Sequence, residues 1–229
     1  MHLMKCTVHR TRRQWQERQM TTTITMWADV RCPWCWIGHR QLGRALDQLG
    51  TDTKVEYRSL LLEPDGPAQP GMTVRDTALS SWGFDAERWT TQSRRIVRGG
   101  ASEILTIDID RSLTVDSRDA HRLLKLVAAS GLNRFEAWDA LYSSHFELND
   151  YIGSWTVLRS IGRRVGLDED AITRLAESKE YSSDIDNDLR RAADLGISSV
   201  PTVMVDSVRA TGDLSQSVPR LAKGSVVDR

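Results

Sequence analysis

The chain has 229 residues, 40% apolar and 27% charged, which reads as a soluble globular protein with enough apolar material for a real core. No apolar run approaches the ~18 residues of a membrane helix, so a membrane partner is not expected. Formal charge is zero, but Lys5, Arg10, Arg12, Arg13 and Arg18 face only Glu17 in residues 1–19, and the remainder carries a net −4. A mildly acidic body makes a nucleic-acid partner unfavourable. Three cysteines, an odd count with no secretory signal ahead of them, argue against a secreted disulfide framework and place the chain in the cytoplasm.

Residues 1–19 are polar and basic, lack the apolar centre of a secretory signal, and read as a disordered tail or a start-site artefact. Met20 then opens the first strand, and Ile24–Val30 is apolar and β-branched enough to be buried. "CPWC" comes at once after it. Cys35, Leu42, Leu46 and Leu49 recur at helical spacing, with Gly50 as the stop. "KVEYRSLLL" (54–62) reads as a second strand, so the first sixty residues spell a βαβ unit with CxxC at the first strand-to-helix junction. "EPDGPAQPG" (63–71) is a break, and the chain beyond it is mostly helical in pattern. Phe135, Trp138, Tyr142 and Phe146 form a core stripe, Ser154 and Asp168 head two helices, and Asp184, Asp186 and Asp188 read as a solvated face. "ISSVPTVMVD" (197–206) returns to strand, with Pro201 at its start, and a short strand and a last helix come after it. The expected domains are therefore 20–63 with 196–229, and a helical insertion over 64–195.

Three chemistries compete for Cys32 and Cys35. In thiol–disulfide exchange, Cys32 at a helix N-terminus faces unpaired N–H groups and the positive end of the dipole, which favour the nucleophilic thiolate. Cys35, one turn in, can attack a mixed disulfide formed on Cys32. Pro33 suits the first helical position, and Arg31 adds a positive charge nearby. Zinc wants four ligands, and no second CxxC and no HxxxH is present, so no metal is expected. The third reading, two small residues at a helix start, does not account for the Pro-Trp pair after a buried strand. His39 reads as surface and His121 as structural, with a place beside the cysteines as the alternative for each. A cis Val200–Pro201 bond would present backbone groups beside the cysteines, and an ordinary strand start is the alternative.

"CPWCWIGHRQL", "SRDAHRLLKLV", "ALYSSHFELNDYIGSWTVL" and "DLGISSVPTVMVD" resemble, in order, the FrnE-like subgroup of DsbA-like oxidoreductases. The resemblance runs from about Thr22 to Lys223. It implies an α/β thioredoxin-like fold interrupted by a large all-helical insertion, Cys32 as attacking thiol, Cys35 as resolving thiol and Pro201 as a cis-proline facing them. It also implies a cleft between the domains, with Trp34 and Trp36 at its rim and Arg31, His39 and His121 as cleft candidates. The implied activity is exchange through a mixed disulfide, reductase or isomerase in direction. Its substrate would be a protein or small-molecule disulfide, with no bound cofactor and with glutathione or a similar thiol as co-substrate. Arg31 stands where an apolar residue is usual, and Ser207 replaces the expected turn glycine. Two other readings stand beside it: a glutathione-dependent isomerase or kappa-class transferase, in which serine replaces the first cysteine, and a chaperone-like binding cleft.

Overall fold

Strand β1 (Thr22–Ala28) is the centre of the molecule, because its apolar side chains are covered on both faces: Ile24, Met26 and Ala28 are fully buried and Trp27 is nearly so. The computed structural model describes residues 22–49 and 53–227. The basic segment 1–19, Met20, Cys6 and the Gly50 stop lie outside them. Helix α1 (Pro33–Asp47) carries the chain across to β2 (Thr53–Ser59), which pairs parallel to β1 from Thr22↔Thr53 to Ala28↔Ser59. The second strand is shorter than the sequence implied. At Leu62 the backbone has turned inward, and its N–H donates to the Asp29 carboxylate at 2.7 Å instead of continuing the ladder.

Seven helices lie between the second and third strands: α2 (Val74–Ser80), α3 (Ala86–Ala101), α4 (Arg118–Ala129), α5 (Arg134–Phe146), α6 (Trp155–Arg164), α7 (Glu169–Ala176) and α8 (Ser182–Asp194). Their starts are written in local chemistry. Thr73, Asp85, Asn133, Ser154 and Asp168 each cap a first turn with a side-chain oxygen that accepts a backbone N–H. Strand β3 (Thr202–Val205) then returns antiparallel against β1, β4 (Val208–Ala210) pairs with β3, and α9 (Leu214–Val227) packs on α1. The sheet order is β2-β1-β3-β4. The β3–β4 turn manages without glycine because Asp206 takes the left-handed conformation (φ 52°). Its amide donates to the Thr23 carbonyl and its carboxylate accepts the Thr23 N–H.

One apolar cluster runs from β1 and α1 through α3, α4, α5, α6 and α7 to α9, so the inserted helices and the sheet share a core. Two expectations are corrected by how that core closes. Asp188 is not on a solvated face: α8 lies on β2, and the Asp188 carboxylate, 2% exposed, accepts from Arg58 Nη1 (3.0 Å), the Ser59 amide (2.9 Å) and Lys125 Nζ. His39 is not at the surface: α5 covers that side of α1, and the His39 ring stacks on Phe135 with centroids 3.8 Å apart.

Candidate active site

The loop after β1 delivers the two cysteines in different environments. Cys32 is the N-cap of α1, in extended conformation, and Pro33 occupies the first helical position, where a missing N–H costs nothing. The Cys32 amide donates to the Asp29 carbonyl (3.1 Å), and the Cys32 carbonyl accepts from the Cys35 amide (2.9 Å). Both cysteines are free thiols. Cys32 keeps 5% of its surface, and Cys35 none. The Cys32 thiol donates to the Val200 carbonyl at 3.8 Å, and the Val200–Pro201 peptide bond is cis. Two segments 168 residues apart in sequence meet because β3 pairs directly with β1, and because Gly38 leaves room: a Cβ there would stand 3.2 Å from Pro201 Cγ.

Burial pushes the Cys35 thiol well above its ordinary pKa, and the hydrogen bond and charge of Cys32 push the same way. Asp29, fully buried three residues ahead of Cys32, acts both ways: a hydrogen bond from its backbone lowers the Cys35 pKa and its charge raises it. Burial alone would raise the Asp29 carboxyl, but His121 and the amides of Leu62 and Arg31 outweigh it and hold it below the usual carboxylate range. His121 is also fully buried, its Nε2 3.4 Å from Asp29 Oδ1. The Arg31 guanidinium is committed to Glu63 Oε2 at 2.6 Å, so its charge is largely balanced before it reaches Cys32.

Cys32 opens onto a cavity of about 450 Å³. Its walls are mainly apolar and aromatic, with Trp34, Trp82, Phe84 and Trp89 from α1, α3 and the segment joining α2 to α3. Arg31, Pro33 and Val200, with His145 from α5, belong to the same lining. Trp34 also borders a second, more polar hollow of about 500 Å³ that touches Pro201, Gln41, Arg209 and Asp213. Trp34 is held by α3, whose Gly99 lets the indole approach (3.0 Å to a Cβ built there) and whose Arg95 lies 5.3 Å from the ring centroid.

The structure thus gathers Arg31, Cys32, Pro33, Trp34 and Val200 around the first cavity, with Pro201 across Trp34. Trp36, His39 and His121 border neither hollow. Trp36 is not at a rim: it is 1% exposed, stacked near Tyr142 and Phe146, with its indole N–H donating to Asp139 at 2.8 Å. Asp29, Glu63, His145 and the three aromatics from the helical region were missed from sequence. Only Asp29 carried a signal, as the one charged residue in the apolar run Ile24–Val30. No cluster of three or more His, Cys, Asp or Glu able to hold a metal occurs among the described residues.

Comparisons with known proteins agree with this geometry. The fold is similar to that of a probable DsbA oxidoreductase from Streptomyces coelicolor (TM-score 0.82, 21% identity, 91% of each chain covered). It is also similar to the cytosolic disulfide reductase DsbM from Pseudomonas aeruginosa, solved with GSH (TM-score 0.62, 16% identity, 89% of this chain and 98% of that one). A third likeness is to 2-hydroxychromene-2-carboxylate isomerase (TM-score 0.65, 12% identity, 89% and 95% covered). No curated protein matches the chain. The model of the DSBA-like thioredoxin domain matches residues 23–223, and with a redox-type cysteine pair at the head of α1 and a thioredoxin-like sheet behind it, the chain belongs to that family of thiol–disulfide oxidoreductases.

Proposed function

We propose that the chain is a cytoplasmic disulfide reductase or isomerase in which Cys32 attacks and Cys35 resolves. The observation that carries this reading is the asymmetry of the pair: Cys32 opens onto the cavity beside the Val200 carbonyl, while Cys35 is sealed one turn further along the helix. The Cys32 thiolate attacks a substrate disulfide and forms a mixed disulfide, releasing one thiol. Cys35 then attacks Cys32 Sγ, the second thiol leaves, and the Cys32–Cys35 bond closes. Part of what holds the Cys35 proton comes from Cys32 itself. That part is lost once Cys32 is in a mixed disulfide, so Cys35 becomes easier to ionise at the step that needs it. Glutathione or a similar thiol would return the electrons, and the likeness to a cytosolic reductase solved with GSH supports the reducing direction.

The test is the reduction potential of the Cys32–Cys35 couple, read by tryptophan fluorescence in thiol/disulfide buffers. A value near about −270 mV fits a reductase, and one between about −180 and −230 mV an isomerase or glutathione-coupled exchange. A value near about −120 mV overturns the direction by making the pair an oxidant. The absence of a reversible two-electron transition overturns exchange and favours a glutathione-dependent isomerase or transferase, or a binding cleft.

A further inference from the structure

The first cavity holds more than thiol exchange requires. Its volume of about 450 Å³ lies in the range of small-molecule sites, and its predominantly aromatic and aliphatic lining with a few polar groups is typical of them. The ionic groups in the wall are Arg31 and Glu63, which cancel each other at 2.6 Å. His145 is held neutral, because burial and the Arg31 charge lower its pKa to about 4. An arm with two carboxylates, such as a glutathionyl group, would therefore exchange water for a wall with no free cation and meet Glu63. Two nitrogens in this wall are buried without a hydrogen-bond partner: Arg31 Nη1 and His145 Nδ1. The Arg31 side chain is 6% exposed and His145 is 1% exposed, so each is left short of a partner well out of bulk water. Both residues line the cavity, and the His145 ring feels the Arg31 charge.

We propose that this cavity is the subsite for the apolar, ring-bearing arm of a small-molecule disulfide, whose uncharged oxygen acceptor meets Arg31 and His145 while its sulfur meets Cys32. The proposal rests on the exchange reading above and names its substrate class. Cys32 Sγ, as thiolate, attacks the sulfur that carries the arm. The substrate S–S bond breaks, and the other half leaves as a thiolate that takes a proton from water. Cys35 gives its proton to water and attacks Cys32 Sγ, and the arm departs as a second thiol. The substrate gains two electrons and the dithiol loses two, which two equivalents of a monothiol restore.

The experiment mixes the reduced full chain with three dialkyl disulfides in a stopped-flow instrument and follows oxidation by tryptophan fluorescence. The probes are 2-(4-acetylphenyl)ethyl 2-hydroxyethyl disulfide, bis(2-hydroxyethyl) disulfide and glutathione disulfide, whose leaving thiols are all alkyl. The acetylphenyl probe is expected to react about tenfold or more faster than the other two, the scale on which an apolar pocket discriminates. Val74→Trp and, independently, Gln92→Trp each put an indole into the cavity and should bring that ratio within about twofold of unity. Arg31→Met should reduce it. Equal rates in the native chain, or an advantage that survives both filling variants, overturn the proposal while leaving exchange intact. No reaction with any probe overturns the exchange reading itself. An insulin disulfide that outpaces the acetylphenyl probe and slows in the filling variants assigns the cavity to a polypeptide side chain and overturns the small-molecule assignment.

Discussion

Cys35 has no exposed surface, its pKa is raised by burial, and its backbone N–H already serves the Cys32 carbonyl. A thiol so placed reacts with little except the sulfur beside it. Iodoacetamide at neutral pH should therefore label Cys32 in the reduced, folded chain and spare Cys35, which peptide mass analysis can read. Cys35→Ser should accumulate a Cys32–substrate mixed disulfide, visible as a mass adduct that reductant removes. Disulfide turnover should fall about 100-fold or more, because an intramolecular attack at high effective molarity is replaced by external thiol. Undiminished turnover would instead support the isomerase reading. These two residues were legible in the sequence because their chemistry is local: strand, N-cap cysteine, proline at the first helical position and a second cysteine one turn on. His39 and Trp36 were not, because their burial depends on α5, a hundred residues away in the chain. His145 gave no signal for the same reason.

At the scale of elements, the helix starts at Ser154 and Asp168 were readable, since the cap is a bond between neighbours. The packing of α8 on β2 was not. Three aspartates close together in one helix look solvated until one of them is placed against Ser59, Arg58 and Lys125. Asp188 ties the last inserted helix to the edge strand and to α4 at once. Asp188→Ala would leave the Ser59 amide buried without an acceptor and Lys125 without its counter-charge, while Arg58 would keep only Glu56. The expected loss is about 3 kcal/mol of unfolding free energy, the scale for breaking a buried pair from one side. Asp188→Asn, which keeps the amide's acceptor, should lose less. Urea unfolding of the three proteins measures both, and an Asp188→Ala variant as stable as the native chain would mean that α8 is held by its apolar face alone.

Across the whole molecule, the sheet, α1 and the inserted helices close around a shared core, and three histidines are buried, His39 and His145 among them. Strand, helix, strand and the return of β3 were readable in the sequence, but a core shared across the long helical stretch between β2 and β3 is a property of packing that no local pattern carries. Its cost shows in pH. Burial, with the charge of Arg40, lowers His39 to about 3, and burial with the charge of Arg31 lowers His145 to about 4. An unfolded histidine titrates near about 6.5. Between those values the unfolded chain binds two protons that the native chain refuses, so stability is full above about pH 6.5 and declines as pH falls toward the native values. If both rings stay neutral, the loss between pH 7 and pH 5 is about 4 kcal/mol, against a typical total of about 5–15. Asp29 acts in the same direction in a lower window. Its depressed native pKa contributes stability above the ordinary carboxylate value, and that contribution fades as pH falls through the native one. Urea unfolding at pH 7.5, 6 and 5 should therefore show a steep fall that Asp29 does not yet enter. His39→Phe, which keeps a ring on Phe135, should remove about half of the slope. A curve flat from pH 7 to pH 5 would mean that these histidines take up protons in the native state, and that the core around α1 opens to water far more readily than its packing implies.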